Sequence, residues 1–293
     1  MKHVLVIGRR GLVAGALGAV EWGADIAVSC RGRDELDLGD LPTLREKVMR
    51  VRPDLLVNAA AYTAVDQAES ERKAAFALNC DGPAALAEAA AEIGAPLIHL
   101  SSDYVFDGLK ATAYVESDAV NPISVYGASK EAGERAVRER LRPHVILRSS
   151  WIYAAQGRNF LSTMLRLARE GREIRVVDDQ KGSPTAAADV ARAVVAVARR
   201  LLAGGGDYGT FHFCSAGVTS WHGFAAAIFE LAGLGKVHLA PISTAQFAAP
   251  ARRPANSALD CGKIARIYGV QPSPWRESHA HCLAEMERAG AGA

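Results

Sequence analysis

The chain has little of what marks a secreted, membrane-embedded or nucleic-acid-binding protein. Its five cysteines (Cys30, Cys80, Cys214, Cys261, Cys282) are scattered without a C-x-x-C. The number is odd, so neither a disulfide framework nor a thiolate zinc site fits, and buried, inert thiols are expected. An excess of one charge is missing too. With 34 Lys and Arg against 32 Asp and Glu the net charge is only +2, and no dense basic block is present to track phosphates, so no nucleic-acid partner is expected. Long apolar runs are absent near the N-terminus. Val4–Ile7 gives four consecutive apolar residues, well short of a signal-peptide core or the ~20 residues of a membrane span. The expectation is a cytoplasmic protein with no membrane partner, for which a small molecule is the default ligand.

What is present is an ordinary globular composition, 49% hydrophobic over 293 residues, enough for one large core or for two domains at about 150 residues each. The first half alternates short β-branched runs with Ala-rich helical stretches, the rhythm of βαβ units and a parallel sheet. Strands are predicted at His3–Ile7, Asp25–Ser29, Asp54–Asn58, Pro96–Leu100 and His144–Arg148. Helices are predicted at Leu12–Trp22, Leu41–Val51, Glu71–Ile93 (capped by Ser70) and Ser124–Leu141. Beyond Ser150 the pattern loosens into helices at Asn159–Glu170, Ala186–Leu202 and Trp221–Leu231, strands near Ile174–Val177 and Tyr208–Phe213, two terminal helices and a frayed tail at Ala289–Ala293. The expected fold class is α/β: a Rossmann-type doubly wound parallel sheet with a smaller C-terminal substrate-binding domain. Residues 1–150 would form the NAD(P)-binding domain and residues 151–293 mainly the substrate domain, with some segments returning to the sheet.

Gly8-Arg9-Arg10-Gly11-Leu12-Val13-Ala14 follows the first strand and opens the first helix. Gly8 permits a sharp turn, Gly11 removes a Cβ where a pyrophosphate approaches the backbone, and the small Ala14 lets helix and strand pack closely. Free N–H groups at the helix start then face the anion. After the second strand, Ser29-Cys30-Arg31-Gly32-Arg33 offers a small polar residue and two cations where a carboxylate would repel a 2′-phosphate. This favours NADPH, with NADH as the second choice; Arg9 and Arg10 add to the same positive field.

The most specific pattern is Tyr126-Gly127-Ala128-Ser129-Lys130, a Tyr-x-x-x-Lys at the head of a helix, which puts both side chains on one face. An ammonium beside a phenol should lower the phenol's pKa towards the working pH and make Tyr126 a general acid, while Lys130 also holds the nicotinamide ribose. Ser102, at the end of the fourth strand, is placed to donate a hydrogen bond to a substrate carbonyl.

Together with Val57–Glu69, Ser102–Gly108, Arg148–Tyr153, Asp179–Thr185 and Arg253–Ser257, these residues resemble the dTDP-4-dehydrorhamnose reductase family of the extended short-chain dehydrogenase/reductases. The resemblance runs from residue 2 to about 288. It implies NAD(P)H-dependent reduction of the C4 ketone of dTDP-4-dehydro-β-L-rhamnose to dTDP-β-L-rhamnose, the last step of dTDP-rhamnose synthesis. It also implies a catalytic set of Ser102, Tyr126 and Lys130. Cofactor contacts would come from Gly11, Leu12, Val13, Ser29, Asp37, Leu38, Ala60, Ala61 and Tyr62, to which the residue-level reading adds Gly8 and Arg31. Contacts to the nucleotide-sugar substrate would come from Ser102, Asp103, Tyr104 and Trp151, with Arg253 and Asn256 from the last motif. Ser29 departs from the Asp of some members, in line with NADPH. Some members hold Mg²⁺ at a dimer interface with glutamates, but Ala16 and Ala188 stand at the corresponding positions and supply no oxygen ligand. No metal is expected, nor a dimer bridged by one, although a homodimer through other faces stays compatible.

His279, His281 and Cys282 are close in sequence, yet on a helix positions 279 and 281 point about 200° apart, so a solvated helix is expected rather than a metal site. His99 and His144 are expected to be hydrogen-bonded packing residues. The alternatives to the reductase are a reductase or epimerase of another nucleotide sugar and a non-catalytic dinucleotide-binding regulatory subunit, the latter having no need of an intact Ser/Tyr/Lys set.

Overall fold

The computed structural model describes residues 1–171 and 173–290. Six parallel strands form the central sheet: β1 (Lys2–Ile7), β2 (Ile26–Arg31), β3 (Leu55–Asn58), β4 (Leu97–Ser102), β5 (His144–Ser149) and β6 (Gly209–His212). Their spatial order is β6-β5-β4-β3-β1-β2. The strand order reverses between β2 and β3 around β1, and ligands of such sheets bind beyond the carboxyl ends of the strands at that switch point.

The central strands are apolar throughout because both faces are covered. On one face Val4, Val6, Leu55, Val57, Val145 and Leu147 pack against the helices Leu12–Ala19 and Ala187–Leu202. On the other, Leu5, Ile7, Leu56, Leu97 and Ile146 pack against Leu41–Val51, Gly82–Ile93 and Val125–Arg140. Alternation along one strand thus feeds two cores. A third cluster, around Tyr153, Leu161, Phe224, Ile228 and Trp275, binds together the helices Phe160–Arg169, Trp221–Leu231 and Trp275–Gly290. Two short strands, Ile174–Val177 and Leu239–Ile242, pair in parallel beside it. The second half therefore supplies a strand and a helix to the main sheet as well as this separate cluster.

Local chemistry explains several boundaries. Ser124 caps the helix Val125–Arg140 by accepting from the Gly127 N–H at 3.1 Å, and Asn159 forms a capping box with Ser162. The helix expected over Glu71–Ile93 is not uniform. It runs Arg72–Phe76, widens into a π-helical turn at Ala77–Asp81 and resumes as Gly82–Ile93. Pro83 has no N–H to donate back to Asn79, and the wide turn brings Asn79 inward. There its amide bonds the Tyr62 backbone on both sides and the Ser129 hydroxyl. Gly133 makes this approach possible, since a Cβ there would collide with the Asn79 carbonyl. Ser70 is not the cap; its hydroxyl donates to the Gln67 carbonyl, and Glu71 precedes the helix without a side-chain cap.

The C-terminal helix corrects another expectation. His279 and Cys282 are buried against Tyr153 and Phe224, and only His281 faces solvent. Of the cysteines, Cys214 and Cys282 are buried and the other three only partly so. His99 and His144 are interior and hydrogen-bonded, to Asn58 and to the Leu141 carbonyl. The tail expected at Ala289–Ala293 lies outside the described residues, apart from the final helix reaching Gly290. Among the described residues no helix is long and apolar enough to cross a membrane.

Candidate active site

A cleft of about 1050 Å³ opens along the carboxyl ends of β1, β3, β4 and β5. Its middle is the turn after β1. Gly8 has φ 113°, and a Cβ there would lie 2.9 Å from the Ala60 nitrogen, so the turn needs glycine both for its conformation and for its approach to the segment after β3. Gly11, Leu12 and Val13 line the cleft, and the helix they begin has no side-chain cap, leaving its first N–H groups to face the cavity. One end is walled by Gly32, Arg33, Asp34, Leu36, Asp37 and Leu38. The other end is walled by Ser102, Asp103, Tyr126, Lys130, Ser149 and Trp151.

The structure brings the Ser, Tyr and Lys together at that second end, with a physical reason for each. Ser102 ends β4; its hydroxyl donates to Asp103 at 2.9 Å and accepts from the Tyr104 N–H at 3.1 Å. Tyr126 and Lys130 lie one turn apart on the helix capped by Ser124. Lys130 is buried and donates to the Leu100 carbonyl at 2.7 Å, which fixes the ammonium against the strand that carries Ser102. Burial pushes Lys130 down to about 8, opposed by the negative charge of Glu134. Tyr126 is pushed up to about 12 by burial, with a hydrogen bond from Ser102 opposing. The expected lowering of Tyr126 by Lys130 is therefore corrected: burial, joined by the nearby charge of Asp103, raises the phenol and holds it in the protonated form that a proton donor requires. Asp103 is buried beside it, and desolvation lifts its carboxyl to about 7.

Below this set Glu134, one turn beyond Lys130, accepts from Arg148 at 2.8 and 2.7 Å and from Arg138 at 3.0 Å, with Glu134 and Arg148 both interior. Burial alone would raise the Glu134 pKa, but these guanidinium contacts overcome it and hold the carboxylate below its ordinary range.

Other sequence-based assignments divide. Asp37, Leu38, Ala60 and Ala61 line the cleft, and Trp151 does so with one face of its indole stacked on Trp221 (3.7 Å, 7°). Trp151 adopts φ 46°, and Gly182 sits so tightly against the ring that a Cβ would come within 2.5 Å of it. Ser29 is corrected: β2 continues to Arg31, so Ser29 is inside the strand, where its hydroxyl meets the His3 ring at 2.8 Å. Arg31 is likewise turned to Glu35, and Arg9 to Asp34 and Glu35. Arg33 remains at the cleft wall, its Nε on Asp37 at 3.1 Å. Tyr62 points away, donating its hydroxyl to Glu71, and the neighbouring Thr63 takes its place on the wall. Tyr104 is buried edge-on to Tyr126 and is not part of the wall. Arg253 is engaged by Asp66 at 2.8 and 3.0 Å. Asn256 is saturated by backbone, donating to the Lys110 and Thr112 carbonyls and accepting from the Ala258 N–H; it fastens the 110–112 loop rather than facing a ligand. Sequence reasoning missed Leu36, Thr63, Gly157 and Arg158 on the wall. Thr63 lay inside the Val57–Glu69 motif but was not assigned a contact, whereas nothing local marked the other three.

A doubly wound parallel sheet, a glycine turn at its switch point and a strand-end Ser beside Tyr-x-x-x-Lys define an extended short-chain dehydrogenase/reductase. The chain belongs to the dTDP-4-dehydrorhamnose reductase family: the family described as RmlD substrate binding domain matches residues 1–288. A dTDP-4-dehydrorhamnose reductase of Sinorhizobium fredii is 47% identical, the match covering 94% of this chain and 95% of the relative. Among solved structures, the dTDP-4-dehydrorhamnose reductase of Clostridium acetobutylicum is 34% identical with a TM-score of 0.92, over 97% of this chain and 99% of that one. The Bacillus anthracis enzyme, solved in complex with NADP, is 36% identical with a TM-score of 0.91, over 97% and 100%.

Proposed function

We propose that the chain reduces the C4 ketone of dTDP-4-dehydro-β-L-rhamnose to the alcohol of dTDP-β-L-rhamnose with NADPH, the last step of dTDP-rhamnose synthesis. The observation that carries this reading is one continuous cleft with the glycine turn at its middle and Ser102, Tyr126 and Lys130 at one end. The bound reduced nicotinamide supplies the hydride that adds to C4 of the sugar. Ser102 orients the carbonyl oxygen through its hydroxyl, and Tyr126 delivers the phenolic proton to that oxygen as negative charge develops. Lys130, held by the Leu100 carbonyl, presents its cation to the phenolate left behind and to the ribose. Trp151, stacked on Trp221 and packed against Gly182, lines the cleft where it would wall the sugar ring. The direct test is NADPH oxidation by the purified chain with dTDP-4-dehydro-β-L-rhamnose against other 4-ketonucleotide sugars. Failure with all of them, despite tight dinucleotide binding, would favour the regulatory reading instead.

Two expectations follow for cofactor and metal. The kcat/KM ratio should favour NADPH over NADH by up to about fivefold, the scale of an exposed charge contact, because Arg33 stands at the adenine-ribose end. Asp34 and Asp37 stand on the same wall, and a ratio favouring NADH would show that these carboxylates set the choice. Reduction should also survive exhaustive chelation. That expectation rests on Ala16 and Ala188, which supply no oxygen ligand for a divalent cation. Loss of turnover in EDTA, restored by Mg²⁺, would overturn that expectation. The reading places the protein in the cytoplasm, supported by its free thiols and by its use of a reduced dinucleotide.

A further inference from the structure

Most arginines around the glycine turn already have acidic partners. Arg9 pairs with Asp34 and Glu35, Arg31 with Glu35 and Arg33 with Asp37. Two are different. Arg10, inside the turn, and Arg158, from the loop ahead of the helix Phe160–Arg169, both line the cleft, and neither has an ion pair or hydrogen-bonded partner side chain among the described residues. Asp34 feels the charge of Arg10, but its carboxylate is already held by Arg9 at 2.9 Å. The position of Arg158 is set by its neighbour: a Cβ on Gly157 would lie 3.0 Å from the Leu12 side chain, so this loop is laid directly over the first turn of the helix that begins at Leu12. Two unneutralised guanidinium groups from segments nearly 150 residues apart in the chain thus meet the cleft at the place where uncapped helix N–H groups face it.

We infer that Arg10 and Arg158 form a two-sided clamp on the pyrophosphate of the bound dinucleotide, one cation from the turn and one from the loop that covers it. The inference rests on the oxidoreductase reading. A pyrophosphate bridge carries two negative charges, and guanidinium groups bind phosphate oxygens in a planar, bidentate geometry that an ammonium lacks. The 2′-phosphate is the less suitable ligand for Arg158, since the adenine-ribose end is walled by Asp34, Asp37 and Leu38, whereas Gly157 rests against Leu12. The clamp also ties cofactor binding to a loop of the second half of the chain.

The test is equilibrium fluorescence titration of NADPH and of NADH, without sugar, into the wild-type chain, Arg10→Gln, Arg158→Gln and the double variant. Each single substitution should weaken both dinucleotides to a similar extent, by about tenfold, and the double variant more, because both dinucleotides share the pyrophosphate. Both side chains are exposed, so the variants should fold normally. Unchanged affinity would overturn the clamp, as would a loss confined to NADPH, which would assign the arginines to the 2′-phosphate. A wild-type chain that bound neither dinucleotide would sink the oxidoreductase reading and the clamp with it.

Discussion

Tyr126→Phe is expected to lower kcat by roughly two to four orders of magnitude while leaving NADPH affinity nearly intact, since general acid catalysis commonly supplies that factor. The ring of Tyr126 sits edge-on to Tyr104, with centroids 6.0 Å apart, and Phe preserves that contact, so the loss would report the missing hydroxyl. Turnover near the wild-type rate would show that another group protonates the alkoxide; the buried Asp103, hydrogen-bonded to Ser102 and lifted to about 7 by desolvation, would be the first to examine. Lys130→Ala should weaken both binding and turnover, because its ammonium is assigned to the ribose as well as to Tyr126. A pure kcat loss with unchanged cofactor affinity would remove the ribose contact.

The largest effect on stability should come from the ion pair beneath the site. Glu134→Gln leaves Arg148 interior and without its counter-charge, which costs about 3–5 kcal/mol. Arg148 is 3% exposed, bonded to Glu134 on two nitrogens and stacked over Phe106. Replacing both residues with apolar side chains, as Glu134→Leu with Arg148→Met, should recover much of the loss, because the desolvation of both charges is removed together. Denaturant titration of the single and double variants checks this, and a single variant within 1 kcal/mol or so of wild type would show that the pair is locally hydrated. The pH dependence has a definite sign. With the folded carboxylate held below its ordinary value of 4.5, the stabilisation is fully present above that value and is lost as pH falls through the depressed folded pKa.

Much of this was legible in the chain because it depends on near neighbours. The strand and helix rhythm follows from short-range patterning, the glycine turn from one residue's freedom to take φ 113°, and the Tyr126/Lys130 pairing from the repeat of a helix. These features require no knowledge of what packs where. The sequence by itself therefore determined the parallel α/β fold, the glycine turn after β1 and the placing of Tyr126 and Lys130 on one helix face.

Tertiary structure decided what the side chains face. β2 ran two residues further than its pattern suggested, and that was enough to carry Ser29 away from the ligand edge to His3, leaving Arg33 at the wall. Arg253 and Asn256 look like ligand contacts until folding presents Asp66 to one and the 110–112 backbone to the other. His279 lost its solvent because Tyr153 and Phe224, distant in sequence, pack over it. Arg158 joined the cleft because Gly157 lets its loop rest on Leu12. The pKa of Tyr126 belongs to the same class: the i, i+4 spacing fixed which cation is near, but burial, a property of the whole fold, set the direction of the shift. Backbone conformation is governed by steric and hydrogen-bonding rules acting over a few residues, whereas partners and desolvation come from segments brought together only when the chain packs.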